Sequence, residues 1–188
     1  MRDIRASAIV QIRLLGIAGS LRATSSNAAI MRAARRDGVD LDVYEGLGAL
    51  PHFSPDLDVD PLPPEVAGLR ARIASADAIF VSSPEYAHGM PGSLKNALDW
   101  LVSAQEALNK RAMLLSASPG GAAFAHAQLL EVLRTMNLDV VDAGAHVFTR
   151  ARLDERGNVV DAPILAALDA GLKTLRARSA QLEATRAK

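Results

Sequence analysis

Residues 11–27 read QIRLLGIAGSLRATSSN, and the chain changes character halfway along that stretch. Gln11–Ala18 is apolar, bounded by Gly19-Ser20, and short enough to predict a buried strand. A glycine then turns the chain, a hydroxyl-rich segment follows, and Ser25–Arg36 carries good helix formers until Gly38 stops it. Strand, glycine turn and helix start, in that order, begin an alternation that the rest of the chain continues.

Moving outward, Leu41–Tyr44 predicts a second short strand. Glu45–Pro64 holds five prolines and reads as a long loop, a kind of segment kept for function or as a lid. Glu65–Ser75 sets Val66, Leu69 and Ile73 on one helical face, and Ala76–Ser83 (ADAIFVSS) is apolar enough to be a strand covered on both sides. Ser93–Ser103 repeats the helical spacing with Leu94, Ala97, Leu98 and Leu101. Arg111–Ser116, a helix carrying Ala125, Leu129, Leu133 and Met136, Asp139–Phe148 and a closing helix Ala162–Glu183 complete the series. Strands alternating with helices require a parallel sheet covered on both faces. With right-handed crossovers the expected fold is α/β, a three-layer, doubly wound, flavodoxin-like five-stranded sheet in the order 2-1-3-4-5. Ligands of such sheets sit at the carboxyl ends of the strands, near the switch between strands 1 and 3. The chemistry is therefore expected just after Ala18, Ser83 and Ser116.

Composition narrows the classes. The chain has 188 residues, which predicts one domain over residues 12–188, with residues 1–11 read as a flexible N-terminal extension. Lys and Arg number 21, matched by 21 Asp and Glu, so the basic excess that nucleic acid or an anionic membrane selects is missing. With no cysteine there is no thiolate chemistry, disulfide framework or cysteine-bound cluster. No apolar run reaches the roughly 18 residues of a spanning helix. A cytoplasmic protein without nucleic-acid or membrane partners is expected.

The loop after strand 1, Gly19–Asn27, enters a helix N-terminus, where backbone N–H groups lack partners and the helix dipole favours an anion. Ser20, Thr24, Ser25, Ser26 and Asn27 add neutral donors and Arg22 adds a planar fork. The loop is neither GxGxxG nor GxxxxGK[ST], so a single phosphate monoester fits better than a dinucleotide or a nucleoside triphosphate. The plainer alternative makes Ser25 or Ser26 a helix cap and Arg22 a solvated side chain. The loop after strand 3, Ser83–Gly92 (SPEYAHGMPG), is a shaped turn containing a tyrosine, suited to a planar ring.

These stretches together, GSLRATSSN, LPHF and SPEYAHGMPGSLKNALDWL, resemble the NAD(P)H-dependent FMN reductase family, a flavodoxin-like group that includes quinone, chromate and azo-dye reductases. The resemblance covers about residues 12–150. It implies FMN as cofactor and NADPH or NADH as electron donor, with a small-molecule acceptor such as a quinone or flavin reduced by two electrons in a ping-pong cycle. It implies that Ser20, Arg22, Ser25, Ser26 and Asn27 hold the phosphate. Pro84, Glu85, Tyr86, Ala87 and Gly89 would lie along the ring and ribityl chain, and a third loop, Ser118-Pro119-Gly120-Gly121, would close over the ring edge, with Ser118, Gly120 and Gly121 as its contacts. Ala87 stands where relatives often have Asn, and Ala122-Ala123-Phe124-Ala125-His126 lacks the Arg that many relatives carry after the paired glycines, leaving NADPH or NADH preference open. No catalytic side chain is expected, because the cofactor carries the chemistry. The alternative from another class is a flavodoxin-like electron carrier without NAD(P)H oxidation of its own; the zero net charge disfavours the acidic docking surface such a carrier uses.

Other residues read more plainly. His52, His88, His126 and His146 lack metal-ligand spacing, and Asp56, Asp58 and Asp60 lack the Gly and Glu of a calcium loop, so no metal is expected. Leu50–Phe53 is either a lip over the site or a tuck pinning the long loop, and Trp100 is expected in the core or an interface. Lys95, Asn96 and Asp99 read as a solvated face. The segment Tyr86–Trp100 is expected to expose Met90, Pro91 and Leu94, and relatives form dimers or tetramers, so a homodimer or homotetramer is expected.

Overall fold

All six residues of Ala78–Ser83 are buried, as a strand requires when it lies in the middle of a sheet with helices on both faces. The computed structural model describes residues 11–22 and 24–186, and the sheet around this strand is entirely parallel. The elements are β1 (Ile12–Ala18), α1 (Ser26–Ala33), β2 (Val39–Val43), α2 (Pro64–Ser75), β3 (Ala78–Ser83), α3 (Gly92–Asp99), β4 (Arg111–Ser118), α4 (Ala123–Thr135), β5 (Asp139–Val147) and α5 (Ala162–Arg186). The strand order is β2-β1-β3-β4-β5, the flavodoxin-like order expected from the sequence. The predicted N-terminal extension lies outside the described residues except for Gln11.

The period of two along each strand sorts the core into two layers. Ile79 and Val81 face α2, α3 and α4 with Leu69, Leu98 and Leu129. Ala78 and Phe80 face the other side, with Ile30 of α1 and Leu168 of α5. Gly16 lets α1 approach β1, since a Cβ there would stand 2.4 Å from the Met31 sulfur.

Two helices are shorter than their sequence patterns. α1 ends at Ala33, not Arg36, because Arg36 folds back to donate its Nε–H to the Ala33 carbonyl and Gly38 turns the chain at φ 75°. α3 ends at Asp99, not Ser103; the Trp100 carbonyl accepts from the Arg70 guanidinium instead.

The face expected to be solvated carries an anchor. Asn96 donates to the Pro51 carbonyl at 2.9 Å and accepts from the Phe53 amide at 2.8 Å. The indole N–H of fully buried Trp100 donates to the same carbonyl at 2.8 Å, and its ring meets Phe53 edge-on. Leu50–Phe53 is thus a tuck, with Leu50 buried and Phe53 against the core. Exposure of Met90, Pro91 and Leu94 is also corrected: Pro91 and Leu94 are buried and Met90 is half-buried, because Leu94 on the first turn of α3 and Met90 before it pack into the layer that holds Leu129.

Candidate active site

Parallel strands end together, so the segments after β1, β3, β4 and β5 meet at one edge of the sheet. There they surround an open cavity of about 330 Å³. Its floor begins with α1. Ser25 caps that helix, its hydroxyl accepting from the Ala28 amide at 3.4 Å. Asn27, 3% exposed, ties three elements together: its amide donates to the Ala117 carbonyl and its oxygen accepts from the Ser82 hydroxyl, both at 3.0 Å. Asn27 holds the helix start over β3 and β4, and Ser26 and Asn27 of the first turn line the cavity, where helix N-terminal amides suit an anion.

Ser20 and Arg22 remain on the open side. The Ser20 hydroxyl lies 3.2 Å from the Tyr86 hydroxyl, linking the first loop to the second. Arg22 is exposed, and among the described residues no carboxylate pairs with it.

The second loop is a two-residue hairpin. Tyr86 and Gly89 exchange both backbone hydrogen bonds at 2.9 Å, leaving Ala87 and His88 at the tip with φ of 48° and 60°. This is the turn that matches strand twist but demands left-handed backbone at both central positions. It is braced against α4. The Glu85 carboxylate accepts from the Phe124 and Ala125 amides at 2.9 and 3.0 Å, capping that helix. His88 stacks on Phe124 with ring centres 4.2 Å apart. Gln128 accepts from the Met90 amide and donates to the His88 carbonyl.

The start of α4 is fixed by a polar chain that runs from buried Ser116 and His126 out to exposed Asp142. His126 stands 3.0 Å from the Ser116 hydroxyl and 2.9 Å from the Asp142 carboxylate, which also accepts from the Gly144 amide. Ser116 is fully buried, so this Ser–His–Asp arrangement organises the junction of β4, β5 and α4 and offers no nucleophile.

Of the thirteen residues expected in the site, Ser20, Arg22, Ser25, Ser26, Asn27, Pro84, Glu85, Tyr86 and Ser118 line the cavity. Ala87, Gly89, Gly120 and Gly121 do not. Ala87 is at the hairpin tip, and the backbone of Gly89 is engaged with Tyr86. Gly121 is needed for its backbone, at φ 85°, while a Cβ at Gly120 would meet nothing within 4 Å. Pro119, in the third loop expected to close over the ring edge, also lines the cavity, as does Thr24 of the first loop; three lining residues lie outside every expected loop: Ala117, Phe148 and Arg150. Phe148 and Arg150 follow β5, and the Phe148 amide donates to the Ser118 carbonyl, carrying the β4–β5 pairing one residue past the strand. Their signal was topological, since β5 ends at the same edge as the other strands. Among the described residues no group of three His, Asp or Glu is placed to hold a metal.

Charge at the cavity is one-sided. Its single lining acid, Glu85, is held by two α4 amides, whereas Arg22 and Arg150 both line it. Arginines, hydroxyls and a helix N-terminus form a donor set suited to a phosphate monoester. The slot between Tyr86, Pro84, Ser118 and Pro119 adds aromatic and apolar walls for a flat group. FMN has both parts, and the residues present fit it.

Comparison with known proteins agrees. Residues 12–152 match the family model of NADPH-dependent FMN reductases. The chain belongs to this family, and it is an FMN-dependent NAD(P)H oxidoreductase. It is 30% identical over 186 residues to a protein of Oryza sativa subsp. japonica named "Probable NADPH:quinone oxidoreductase 2", covering 92% of this chain and 91% of that one. It is 31% identical over 159 residues to an NAD(P)H-dependent FMN reductase of Pseudomonas aeruginosa, covering 80% of this chain and 85% of the relative. Among solved structures, the flavoenzyme NAD(P)H:(acceptor) oxidoreductase FerB of Paracoccus denitrificans superposes with a TM-score of 0.76 at 26% identity, covering 87% of this chain and 97% of that one.

Proposed function

We propose that the domain formed by residues 12–188 holds FMN with its phosphate between Ser20, Arg22 and the first turn of α1, and its ring beside Tyr86, Pro84 and Ser118. NADH or NADPH and then a quinone, a flavin or a similar small acceptor use the same open face in turn, a ping-pong cycle. Bound FMN supplies the chemistry, accepting a hydride from the nicotinamide and returning two electrons to the acceptor. The protein's part is orientation. Asn27 and Ser25 aim the α1 amides, Ser20 and Tyr86 close the first loop onto the second, and Glu85 and Gln128 keep the hairpin against α4. No side chain is assigned as acid or base.

The observation that carries this reading is the meeting of Arg22, Ser20 and the α1 start with Tyr86 and Pro84 on one cavity. Its relatives named as FMN and quinone reductases support the acceptor class. Leu21, Tyr86, Phe124 and Val147 are exposed on the segments around that cavity, which supports a homodimer or homotetramer covering them. A cytoplasmic location is part of the same reading; no described helix is long and apolar enough to cross a membrane.

The test is spectral. The purified protein should be yellow, should bleach with NADH or NADPH alone under anaerobic conditions, and should recover colour when a quinone is added. A yellow protein that no nicotinamide bleaches would instead be the electron carrier.

A further inference from the structure

Arg150 lines the same cavity as the start of α1, from a 3-10 turn that follows β5, and nothing in the sequence motifs points to it. Two neighbours determine what it is free to do. Arg152, on the same turn, pairs with Asp161, a buried acid that also accepts from the Ile164 amide at 3.0 Å. Burial pushes the Asp161 carboxyl up, but Arg152 and the Ile164 amide together outweigh it and hold the group below the usual carboxylate range. Arg152 is therefore committed to the fold. Arg150 is exposed, lines the cavity, and among the described residues pairs with no carboxylate. In that respect it matches Arg22, which lines the same cavity. Six other arginines do have carboxylate partners: Arg13, Arg36, Arg70, Arg72, Arg152 and Arg178.

A phosphate monoester carries close to two negative charges at neutral pH. Arg22 supplies one positive charge, and the α1 N-terminus about half of one. The donor set is short of a full second cation, and Arg150 is the unpaired one on the same cavity. We propose that Arg150 is a second phosphate-binding residue, reaching the FMN phosphate from the segment after β5 while Arg22 reaches it from the segment after β1. This rests on the FMN reading above. NADPH offers the same chemistry in its 2′-phosphate, so the test must separate the two sources.

Full-length apoprotein is titrated with FMN and with riboflavin, following quenching of flavin fluorescence. Arg150→Gln should weaken FMN binding roughly tenfold, the size of a charge-assisted contact on a partly exposed site, and leave riboflavin binding unchanged. Arg150→Lys should recover part of the loss, because the charge returns without the fork. Circular dichroism and melting of each variant should match the parent, Arg150 being exposed. If Arg150→Gln binds FMN as the parent does, or weakens FMN and riboflavin equally, the proposal is wrong. Unchanged FMN binding with a fall in the NADPH-to-NADH ratio of kcat/KM would also overturn it, placing Arg150 on the dinucleotide. A parent that binds riboflavin as tightly as FMN would defeat the phosphate reading itself. A parent that prefers FMN, and loses that preference with Arg22→Gln but not Arg150→Gln, would defeat only the second cation.

Discussion

The loop between β2 and α2 and the hairpin between β3 and α3 are both rich in proline, yet they are held by opposite means. The first, residues 44–63, is bolted from inside. Pro51 accepts from Asn96 and Trp100, Asp58 accepts from Arg70 and Ser103, and Tyr44, Leu47 and Leu50 are buried. The second keeps Tyr86 half-exposed, turns through left-handed Ala87 and His88, and leans on α4 through Glu85, His88 and Gln128. Length and proline content therefore do not decide which loop serves a ligand. What decides is where the surrounding donors are committed. The long loop uses them to satisfy itself, whereas the hairpin leaves a ring and a hydroxyl facing the cavity.

The largest effect expected from this contrast is at Trp100. Trp100→Ala removes a fully buried ring and one of the two donors on the Pro51 carbonyl. A loss of about 3–5 kcal/mol in urea unfolding is expected. FMN affinity should change far less than stability, since Trp100 does not line the cavity. A loss under about 1 kcal/mol would mean that the loop is not anchored through this residue.

Asp58 should give a smaller effect with a pH signature. The Ser103 hydroxyl and the Arg70 guanidinium hold its carboxyl below the usual range, against a push upward from burial. Because the folded value is depressed, its stabilisation is complete above the ordinary carboxylate value of about 3.9 and fades as the pH falls through the folded value. Asp58→Asn should cost about 1.5–3 kcal/mol at neutral pH, the range for hydrogen bonds to a charged group. The gap between parent and variant should hold from pH 7 to about 5 and narrow only below about 4. A gap already closed at pH 5 would show that the ion pair does not anchor the loop.

The same contrast explains what could be read from sequence. Strand order and the three ligand loops were legible because apolar runs such as AIFVSS and the hydroxyl-rich turn after Ala18 are local signals. Ser25 and Asn27 line the cavity, and their side chains are engaged in the fold, one as a helix cap and one as a buried tie. That division depends on contacts such as Asn27 to Ala117, 90 residues apart, which no local pattern encodes. Trp100 was legible as a core residue, but its bond and that of Asn96 to Pro51 were not, the partners being some 49 and 45 residues away. Arg150 lies in no motif, and only the shared edge of parallel strands brings it to Arg22.

The smallest expected effect sharpens the comparison from the hairpin side. Ala87 sits at φ 48°, where an ordinary side chain crowds its own backbone, and Asn tolerates that region because its short polar side chain can bond locally. Ala87→Gly would relieve the crowding but adds freedom to the unfolded chain, so the two contributions oppose each other. Ala87→Asn carries less of that entropic cost and should be the better variant, gaining about 0.5–1 kcal/mol. For a domain of this size that is a rise in Tm of about 1–4 °C. FMN affinity should stay the same, because the position is exposed and does not line the cavity. A gain in stability with unchanged binding would show that the left-handed tip is a local cost separate from ligand contact. A stable variant with altered FMN affinity would instead make the tip part of the site, and the two loops would then differ less than their bonding implies.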